Sequence, residues 1–216
     1  MLSTVPPSLL ERARAMPGVL SVHYGSGELI FPVDGFAVGV YLLERGLVGL
    51  FTRGGPGRKN RVHLVEPGEF FGLEGCLEEE RPRYRATARA LTPVDLLFFP
   101  PPVWEKALAD TKFRRLVLAA FGQMWVNFLT KDEVTKDGQH AVLHAFQRWG
   151  HWSPQGLCLP LKPGLLAQVL GLSRAAVKHA LDRLGAVQEG DALVLKDFPN
   201  SEGFLDDVQI KLGGAS

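Results

Sequence analysis

Short apolar segments alternate with turn residues over the N-terminal half of the chain. Glycine, proline or charged residues bound the first of these segments, which are Glu28–Phe31, Val38–Leu43, Leu47–Phe51 and Arg61–Val65. Tyr84–Ala90 and Val94–Phe99 follow, and the proline run Pro100-Pro101-Pro102 ends the series. Turn signals at this spacing predict an antiparallel β-barrel or jelly roll, preceded by a short helix over about Ser8–Ala15.

The pattern becomes helical after Val103, where glycine almost disappears. It predicts a short helix over Trp104–Ala109, a break at Asp110-Thr111 and a long helix from there to about Thr135. The long helix carries two apolar stripes, one of Phe113, Leu116, Ala120 and Gln123 and one of Val117, Phe121, Met124 and Phe128. Because both sides need cover, we expect it to pack on the barrel and on the same helix of a second copy. A buried helix in a monomer is the alternative.

The segment Leu165–Leu184 is typical of a helix-turn-helix. Ala167 is small where a second helix must approach, and Gly171 follows at the turn, where glycine adopts a left-handed conformation at little cost. Ser173 is placed to cap the second helix, whose predicted buried face holds Val177, Ala180, Leu181 and Leu184. The spacing predicts a helix that enters a DNA major groove, with an ordinary amphipathic hairpin as the alternative.

The flanking segments predict a winged domain. A helix over Gln139–Trp149 and a loop over Gly150–Leu161 lead into the helix-turn-helix. Behind it, two apolar segments within Ala186–Leu195 surround Glu189-Gly190-Asp191 and predict the β-hairpin called a wing. The tail, 198–216, has no clear pattern, and Gly213–Ser216 are expected to fray.

Composition limits the classes of function. The chain has 216 residues, of which 46% are hydrophobic and 22% charged, and a formal net charge of +1. Affinity for nucleic acid must therefore come from a local patch. We find no apolar run long enough for a signal peptide or a transmembrane helix, so a cytoplasmic location without a membrane partner is expected.

Cysteine and histidine usage argues against metal chemistry. Cys76 and Cys158 are too few for a four-cysteine iron–sulfur or zinc site, and we expect two small buried thiols, with a disulfide or redox switch as the alternative. The 6 histidines lack HxH or HExxH spacing, and no nucleophile–base pair is evident, so we assign no metal site and no enzymatic activity. Several aromatic residues cluster before the helix-turn-helix: His140, His144, Trp149, His151 and Trp152. Packing is their expected role, with a pH or metal sensor as the alternative.

A β-barrel, a long helix and a winged helix-turn-helix, in this order, resemble the CRP/FNR family of bacterial transcription regulators. The resemblance covers about Tyr24 to Asp197. In the barrel it rests on a series of turn motifs: Gly27–Phe31, Asp34-Gly35, Gly46, Gly57-Arg58 and Pro67–Gly72. It implies an α+β fold with an N-terminal antiparallel β-barrel or jelly roll, a long dimerisation helix and a C-terminal winged helix-turn-helix. The corresponding domains are a cyclic-nucleotide-binding-like effector domain (1–109), the dimerisation helix (110–136) and the DNA-binding domain (137–216).

The resemblance also suggests where an effector would bind. In cyclic-nucleotide-binding members, a G-E-L segment and a later R-S-A segment form the phosphate cassette. Here the first corresponds to Gly72-Leu73-Glu74-Gly75, which displaces the glutamate by one position. The second corresponds to Arg83-Tyr84-Arg85-Ala86, where aligning the alanine puts Tyr84 at the arginine position. A shifted register restores an arginine but loses the small hydroxyl residue beside it. The candidate effector-pocket residues are Gly72, Glu74, Arg83 and Arg85, and control by cAMP in the usual way is not expected.

Arginines recur along this predicted strand. Alternation with period two puts Arg81, Arg83, Arg85 and Arg89 on one face, opposite Tyr84, Ala86, Ala88 and Ala90. If this basic face lined the interior of the barrel, it would attract a small anionic effector. A solvated outer face is favoured, because several unpaired buried arginines would be costly. Haem-sensing relatives use Cys and His ligands, but Cys76 has only Gly75 and Leu77 beside it, so haem is not expected and no cofactor is assigned.

The resemblance assigns DNA contacts to the start of the second helix. Family members usually begin this helix with S-R-E-T-V-x-R, and this chain has Ser173-Arg174-Ala175-Ala176-Val177-Lys178-His179. Arg174 matches the guanine-binding arginine, and Ser173 is placed for a phosphate contact. Ala175 replaces the glutamate, and His179 replaces the second arginine with a weaker ligand. The candidate DNA-contact set is Ser173, Arg174, Ala175, Lys178 and His179.

The sequence thus predicts a homodimeric, sequence-specific DNA-binding transcription regulator. Its expected partners are double-stranded DNA and a second copy of the chain, with RNA polymerase as a further candidate. The alternative is a ligand-binding or protein-interaction module whose winged helix no longer recognises DNA. Ala175, His179 and the acidic wing tip motivate that alternative.

Overall fold

The computed structural model describes residues 7–52, 61–76, 80–130 and 138–196. The predicted hairpin at Gly57-Arg58 and the tail 198–216 lie outside the described residues. Within them, no helix is both long and apolar enough to cross a membrane.

The N-terminal half folds into two antiparallel sheets that face each other. The strands are β1 (Leu20–Tyr24), β2 (Leu29–Phe31), β3 (Val40–Arg45), β4 (Val48–Thr52), β5 (Arg61–Val65), β6 (Phe70–Phe71), β7 (Thr87–Ala90) and β8 (Val94–Phe99). One four-stranded sheet has the order β1-β8-β3-β6 and the other the order β2-β7-β4-β5. The expected antiparallel barrel is confirmed. Its turns use glycine where the chain needs a positive φ, as at Gly46 (+90°) between β3 and β4.

The sequence prediction is wrong in two parts of the barrel. It omits β1, whose five residues pair with β8 in register from Leu20 opposite Phe98 to Tyr24 opposite Val94. It also makes the strand ending at Ala90 too long, because only Thr87–Ala90 is regular. The preceding residues instead wrap around a loop, where Tyr84 N–H donates to Gly35 O at 3.0 Å and Arg83 forms an isolated bridge with Phe36.

The central strands β3 and β8 of the sheet β1-β8-β3-β6 are covered on both faces. Alternate residues of β3 point to opposite sides, so Tyr41 and Leu43 join the cluster between the sheets while Val40 and Leu42 pack under helices. These helices are α1 (Pro7–Arg14), α2 (Pro101–Ala109) and α3 (Thr111–Thr130). The double burial explains why β3 is a continuous apolar run rather than an alternating one.

Asp110 ends α2 and begins α3, as the sequence predicted. Its Oδ1 accepts the N–H groups of Lys112 (2.8 Å) and Phe113 (3.1 Å), which caps α3. Its Oδ2 accepts a hydrogen bond from Arg12 of α1 at 2.9 Å. One side chain therefore fixes the start of the long helix and joins it to α1.

The two predicted stripes of α3 are wrong as a division between barrel and partner. Phe113 and Val117, one from each stripe, are both buried in the same cluster. The reason is helical geometry, since positions four apart are separated by only about 40° around the axis. The most exposed apolar residues of α3 form a third set, in which Leu118 is 63%, Trp125 61% and Val126 50% exposed.

The C-terminal half is a winged helix. Its elements are α4 (Gly138–Trp149), β9 (His151–Ser153), β10 (Gly156–Leu159), α5 (Pro163–Leu170), α6 (Arg174–Leu184), β11 (Ala186–Glu189) and β12 (Ala192–Leu195). The predicted wing is confirmed as the β11–β12 hairpin. The prediction of a loop over Gly150–Leu161 is wrong, because β9 and β10 extend the wing into a four-stranded sheet of order β11-β12-β10-β9.

The two cysteines differ in environment, and both are free. Cys158 lies on β10 and is buried, as expected. Cys76 ends a short 3-10 helix, Leu73–Cys76, and is exposed. The expectation of two buried thiols is therefore wrong for Cys76, because the helix that carries it has no buried residues.

Candidate DNA-binding surface and effector barrel

The turn between α5 and α6 has the geometry that the sequence predicted. Gly171 adopts φ +68° and donates its N–H to Gln168 O at 3.3 Å, while Leu172 N–H donates to Ala167 O at 3.0 Å. Ser173 Oγ accepts the N–H of Ala176 at 3.1 Å and caps α6. Both local predictions, the left-handed glycine and the serine cap, are confirmed.

Helix α6 has one buried and one exposed side. Val177, Ala180 and Leu181 are buried, and Leu184 is half-buried against the same cluster. The whole candidate DNA-contact set is exposed: Ser173, Arg174, Ala175, Lys178 and His179. Positions 174, 175, 178 and 179 are neighbours on a helical surface, so the structure brings these residues together on one side of α6.

The acidic wing tip is paired with lysine. Asp191 Oδ1 lies 2.9 Å from Lys162 Nζ, and Glu189 Oε1 lies 2.9 Å from Lys196 Nζ. Gly190, with φ +62°, makes the turn between the two carboxylates. Because Lys162, Asp191 and Lys196 are well exposed and Glu189 is only half-buried, these pairs contribute little to stability and are screened by salt.

Aromatic side chains fill the space between the barrel sheets. Phe31, Tyr41, Phe71 and Tyr84, which we call the aromatic plug, are each at most 6% exposed. The Phe31 and Tyr84 rings stack with centroids 3.7 Å apart, and those of Tyr41 and Phe71 lie 5.2 Å apart. Tyr84 Oη accepts Val38 N–H at 3.2 Å and donates to Gly39 O at 3.3 Å. Burial is the main reason that the pKa of Tyr84 lies above its usual value, so its hydroxyl stays protonated.

Gly72 and Glu74, two of the effector-pocket candidates, lie beside this plug. A Cβ at Gly72 would lie 3.1 Å from Tyr41 and 3.3 Å from Tyr84, so the rings occupy the space in front of it. Glu74 Oε1 accepts the backbone N–H of Arg85 at 3.1 Å. That carboxylate is therefore already engaged by the chain itself.

The arginine candidates lie on the outside of the barrel. Arg83 donates to Asp34 O, and its guanidinium lies 4.4 Å from the centre of the Phe36 ring. Arg81, Arg85 and Arg89 are also exposed, opposite the buried Tyr84, Ala86, Ala88 and Ala90. The outer-face interpretation is confirmed, and Arg83 engages Asp34 O and the Phe36 ring on that face.

Cys76 lies near two carboxylates. Partial burial, followed by the charges of Glu105 and Glu74, raises the pKa of the Cys76 thiol to about 11. A thiolate, the form that binds iron, is disfavoured at this position.

A contact between barrel and winged helix was not predicted from the sequence. Glu66 Oε1, just after β5, accepts hydrogen bonds from Arg148 Nε at 2.6 Å and Trp149 Nε1 at 2.8 Å. Beside it, the barrel residues Leu47, Val62 and Leu64 are buried in the core cluster of the winged helix. Only the packing role of Trp149 was expected.

Comparisons with known proteins agree with this architecture. Residues 21–111 match the family model of the cyclic nucleotide-binding domain. No curated protein matches the chain. Among solved structures, the c-di-GMP-responsive global regulator CLP of Xanthomonas campestris is 17% identical, with 89% of this chain and 100% of that chain covered and a TM-score of 0.65.

Two further structures are similar over most of the chain. A CRP-family transcriptional regulator from Thermus thermophilus is 20% identical, with 90% and 97% of the two chains covered and a TM-score of 0.67. FixK2 from Bradyrhizobium japonicum is 21% identical, with 83% and 93% covered and a TM-score of 0.61. Residues 21–111 are therefore similar to the cyclic nucleotide-binding domain. The chain as a whole has the fold of the CRP/FNR transcriptional regulators, as the resemblance implied.

Proposed function

We propose that the protein is a sequence-specific DNA-binding transcription regulator of the CRP/FNR type that acts as a homodimer. The exposed side of α6 carries the proposal, because it presents Arg174 and Lys178 from a helix whose other side is anchored in a core. An α-helix fits the major groove of B-DNA, where arginine distinguishes guanine by a bidentate contact. A role on chromosomal DNA implies a cytoplasmic location.

Each exposed residue of α6 has a distinct proposed role. Arg174 contacts the O6 and N7 atoms of guanine, and Ser173 and Lys178 contact phosphates. Ala175 can offer only its methyl group, which suits a thymine methyl and not a cytosine amine. His179 contributes a full charge only when it is protonated. The preferred DNA site should therefore differ from that of relatives with glutamate and a second arginine.

Dimerisation through α3 supports tight binding. The outer face of α3, by which we mean Leu118, Gly122, Trp125 and Val126, is apolar and exposed. Its spacing places these side chains on one side of a helix about 30 Å long, which suits a parallel pair around a two-fold axis. Two recognition helices would then meet half-sites about 34–36 Å apart. RNA polymerase is a further partner that the same role implies.

The aromatic plug supports control without cAMP. A cyclic nucleotide needs a carboxylate for the ribose and an arginine for the phosphate, facing one space. Here the ring of Tyr84 is buried at the position that aligns with the arginine, and the Glu74 carboxylate binds the chain's own backbone. The described residues thus do not fit a cyclic nucleotide held in the usual way. An anionic effector of another kind would have to bind elsewhere.

Selection from a pool of random DNA fragments tests the proposal. We expect the protein to enrich a two-fold symmetric site, and Arg174→Ala to reduce discrimination at one base pair per half-site by about 1–3 kcal/mol. Arg183→Ala is the matched control, because Arg183 is exposed on the same helix one turn or more from the contact set. Failure to enrich any sequence, with Arg174→Ala behaving as the wild type, would favour a ligand-binding or protein-interaction module.

A further inference from the structure

Glu66 is held rigidly at the edge of the barrel. It begins a turn closed by Glu69, whose N–H donates to Glu66 O at 3.0 Å and whose Oε2 accepts Glu66 N–H at 2.9 Å. Gly68 adopts φ +85° in this turn and donates its N–H to Leu43 O at 2.6 Å, which ties the turn to β3. The Glu66 side chain is thus presented from a fixed backbone.

The carboxylate of Glu66 clamps the end of α4. A single oxygen, Oε1, accepts both the Arg148 Nε and the Trp149 Nε1 hydrogen bonds. Trp149 is 7% exposed, and Gly150 follows it where a Cβ would lie 2.3 Å from Phe146 O. Glu66 therefore joins the last turn of α4 to the barrel through two side-chain hydrogen bonds.

Three buried apolar residues of the barrel, Leu47, Val62 and Leu64, extend the contact between Glu66 and the winged helix, and we call them the seam. Leu47, Val62 and Leu64 of the barrel are 3–6% exposed and share one cluster with residues of α4, α5 and α6. Val62 and Leu64 are two apart on β5, so they present one face of that strand, against which α5 packs. Helix α6 in turn packs on α4 and α5. The recognition helix is therefore connected to the barrel by contiguous packing.

The seam leaves the DNA-contact side open. Arg174, Lys178 and His179 remain exposed while the winged helix is docked. Docking therefore fixes the direction of α6 and does not cover it. In a dimer joined through α3, the direction of α6 in each subunit determines the distance between the two recognition helices.

We infer that Glu66 is a positioning residue for DNA recognition, which sets the spacing between the two half-sites by clamping the winged helix to the barrel. This inference rests on the proposed function. Base recognition within each half-site belongs to Arg174 and its neighbours. Spacing selectivity belongs to Glu66, Arg148, Trp149 and the seam. The two properties should be separable by mutation.

The inference is tested by measuring the affinity for DNA duplexes that carry the same two half-sites separated by spacers of different length. We expect the wild type to bind its best spacer roughly tenfold or more tightly than a spacer about two base pairs longer or shorter, and we call this ratio of affinities the spacing ratio. Glu66→Ala should reduce the spacing ratio to about threefold or less. The half-site sequence preference should not change. Trp149→Phe, which keeps an aromatic ring but removes the indole N–H, should reduce the ratio in the same direction.

Arg14→Gln is the control variant. It breaks the 2.7 Å ion pair between Arg14 and Glu44, which lies within the barrel assembly and does not involve the winged helix. We expect it to keep the wild-type spacing ratio. If Glu66→Ala does not fold, as judged by urea denaturation, Trp149→Phe provides the test.

An unchanged spacing ratio in folded Glu66 and Trp149 variants would overturn the inference. If the wild type enriches no DNA sequence at all, the proposed function is refuted, and this outcome is distinct from an unchanged spacing ratio. The contact of Glu66 with Arg148 and Trp149 is then tested by amide hydrogen exchange. Glu66→Ala should lower the protection of the backbone amides of β5 and of the end of α4 against exchange. Equal protection in wild type and variant would refute the clamp as well.

Discussion

Phe31 and Tyr84 stack at the centre of the barrel with their ring planes 13° apart. Phe31 belongs to β2, and Tyr84 belongs to the irregular segment before β7, so the contact closes the barrel across elements far apart in the chain. The ring at the position where the resemblance places a ligand-binding arginine is thus part of the hydrophobic core. Core side chains therefore fill the space between the two sheets in which the resemblance places an effector.

Removing the Tyr84 ring should destabilise the barrel strongly. Tyr84→Ala is expected to lower the free energy of unfolding by about 3–5 kcal/mol, because it leaves a cavity beside Phe31. Tyr84→Phe, which removes only the hydroxyl and its bonds to Val38 and Gly39, should cost about 1 kcal/mol. Urea denaturation measures both values. Equal, small losses would show that the ring does not fill the core.

The wild type should give no heat signal with cAMP in titration calorimetry at concentrations that saturate cAMP-dependent relatives. The reason is that the Tyr84 ring is buried where the resemblance places the arginine, and that Glu74 already accepts a hydrogen bond from the Arg85 backbone. A measured affinity in the micromolar range would contradict this prediction and would require the aromatic plug to move.

Ser173 should show separate effects on stability and on DNA binding. Ser173→Ala removes the cap of α6 and should cost about 1 kcal/mol of stability. Ser173→Asp keeps a capping oxygen and should preserve stability, but its charge faces the DNA phosphates and should weaken binding by roughly tenfold or more at low salt. Thermal unfolding and gel shifts measure the two effects. Undiminished DNA binding by Ser173→Asp would remove Ser173 from the contact set.

The outer face of α3 should control the oligomeric state. Leu118→Glu would bury a charge in the proposed interface, and we expect it to shift the protein from dimer to monomer in sedimentation experiments. Lys112→Glu is the control, because it adds the same carboxylate to an exposed position near the start of α3. A wild type that sediments as a monomer would contradict the prediction directly.

Acid should weaken the junction between α2 and α3. The hydrogen bond from Arg12, followed by that from Phe113 N–H, lowers the pKa of Asp110. The stability that its charge provides is therefore present above the unfolded-state pKa of about 3.9 and is lost as the pH falls through the lowered pKa. Asp110→Asn keeps a capping oxygen but removes this titration. Urea midpoints of the two proteins should differ at pH 6 and converge in strong acid, and a constant difference would refute the assignment.

Local rules explain what could be predicted from the sequence. The sequence predicts the turn at Gly171, the cap at Ser173 and the buried face of Val177, Ala180 and Leu181, because each depends only on backbone geometry within about one turn of helix. The same holds for Asp110 between α2 and α3. β1 and β10 were missed because each is a short apolar run that becomes a strand only through its partner, β8 in one case and β12 in the other.

Long-range relationships could not be predicted. Glu66 and Trp149 are 83 positions apart, and nothing in either neighbourhood specifies the other. The uncovered side of α3 was assigned incorrectly because apolar residues surround most of that helix, and only the position of the barrel distinguishes Val117 from Leu118. The location of Tyr84 inside the barrel, in contrast, followed from alternation with the arginines around it.

The seam of Leu47, Val62 and Leu64 has a consequence for exchange of domains between regulators. A winged helix moved from this chain onto another barrel would expose the apolar surface that packs on the seam. The Trp149 indole N–H would also lose Glu66, its hydrogen-bond acceptor. Recombination that keeps β5 with its own winged helix should give well-behaved hybrids, and recombination that separates them should give aggregation-prone ones. In this protein the structural unit that carries the winged helix therefore includes an edge of the barrel.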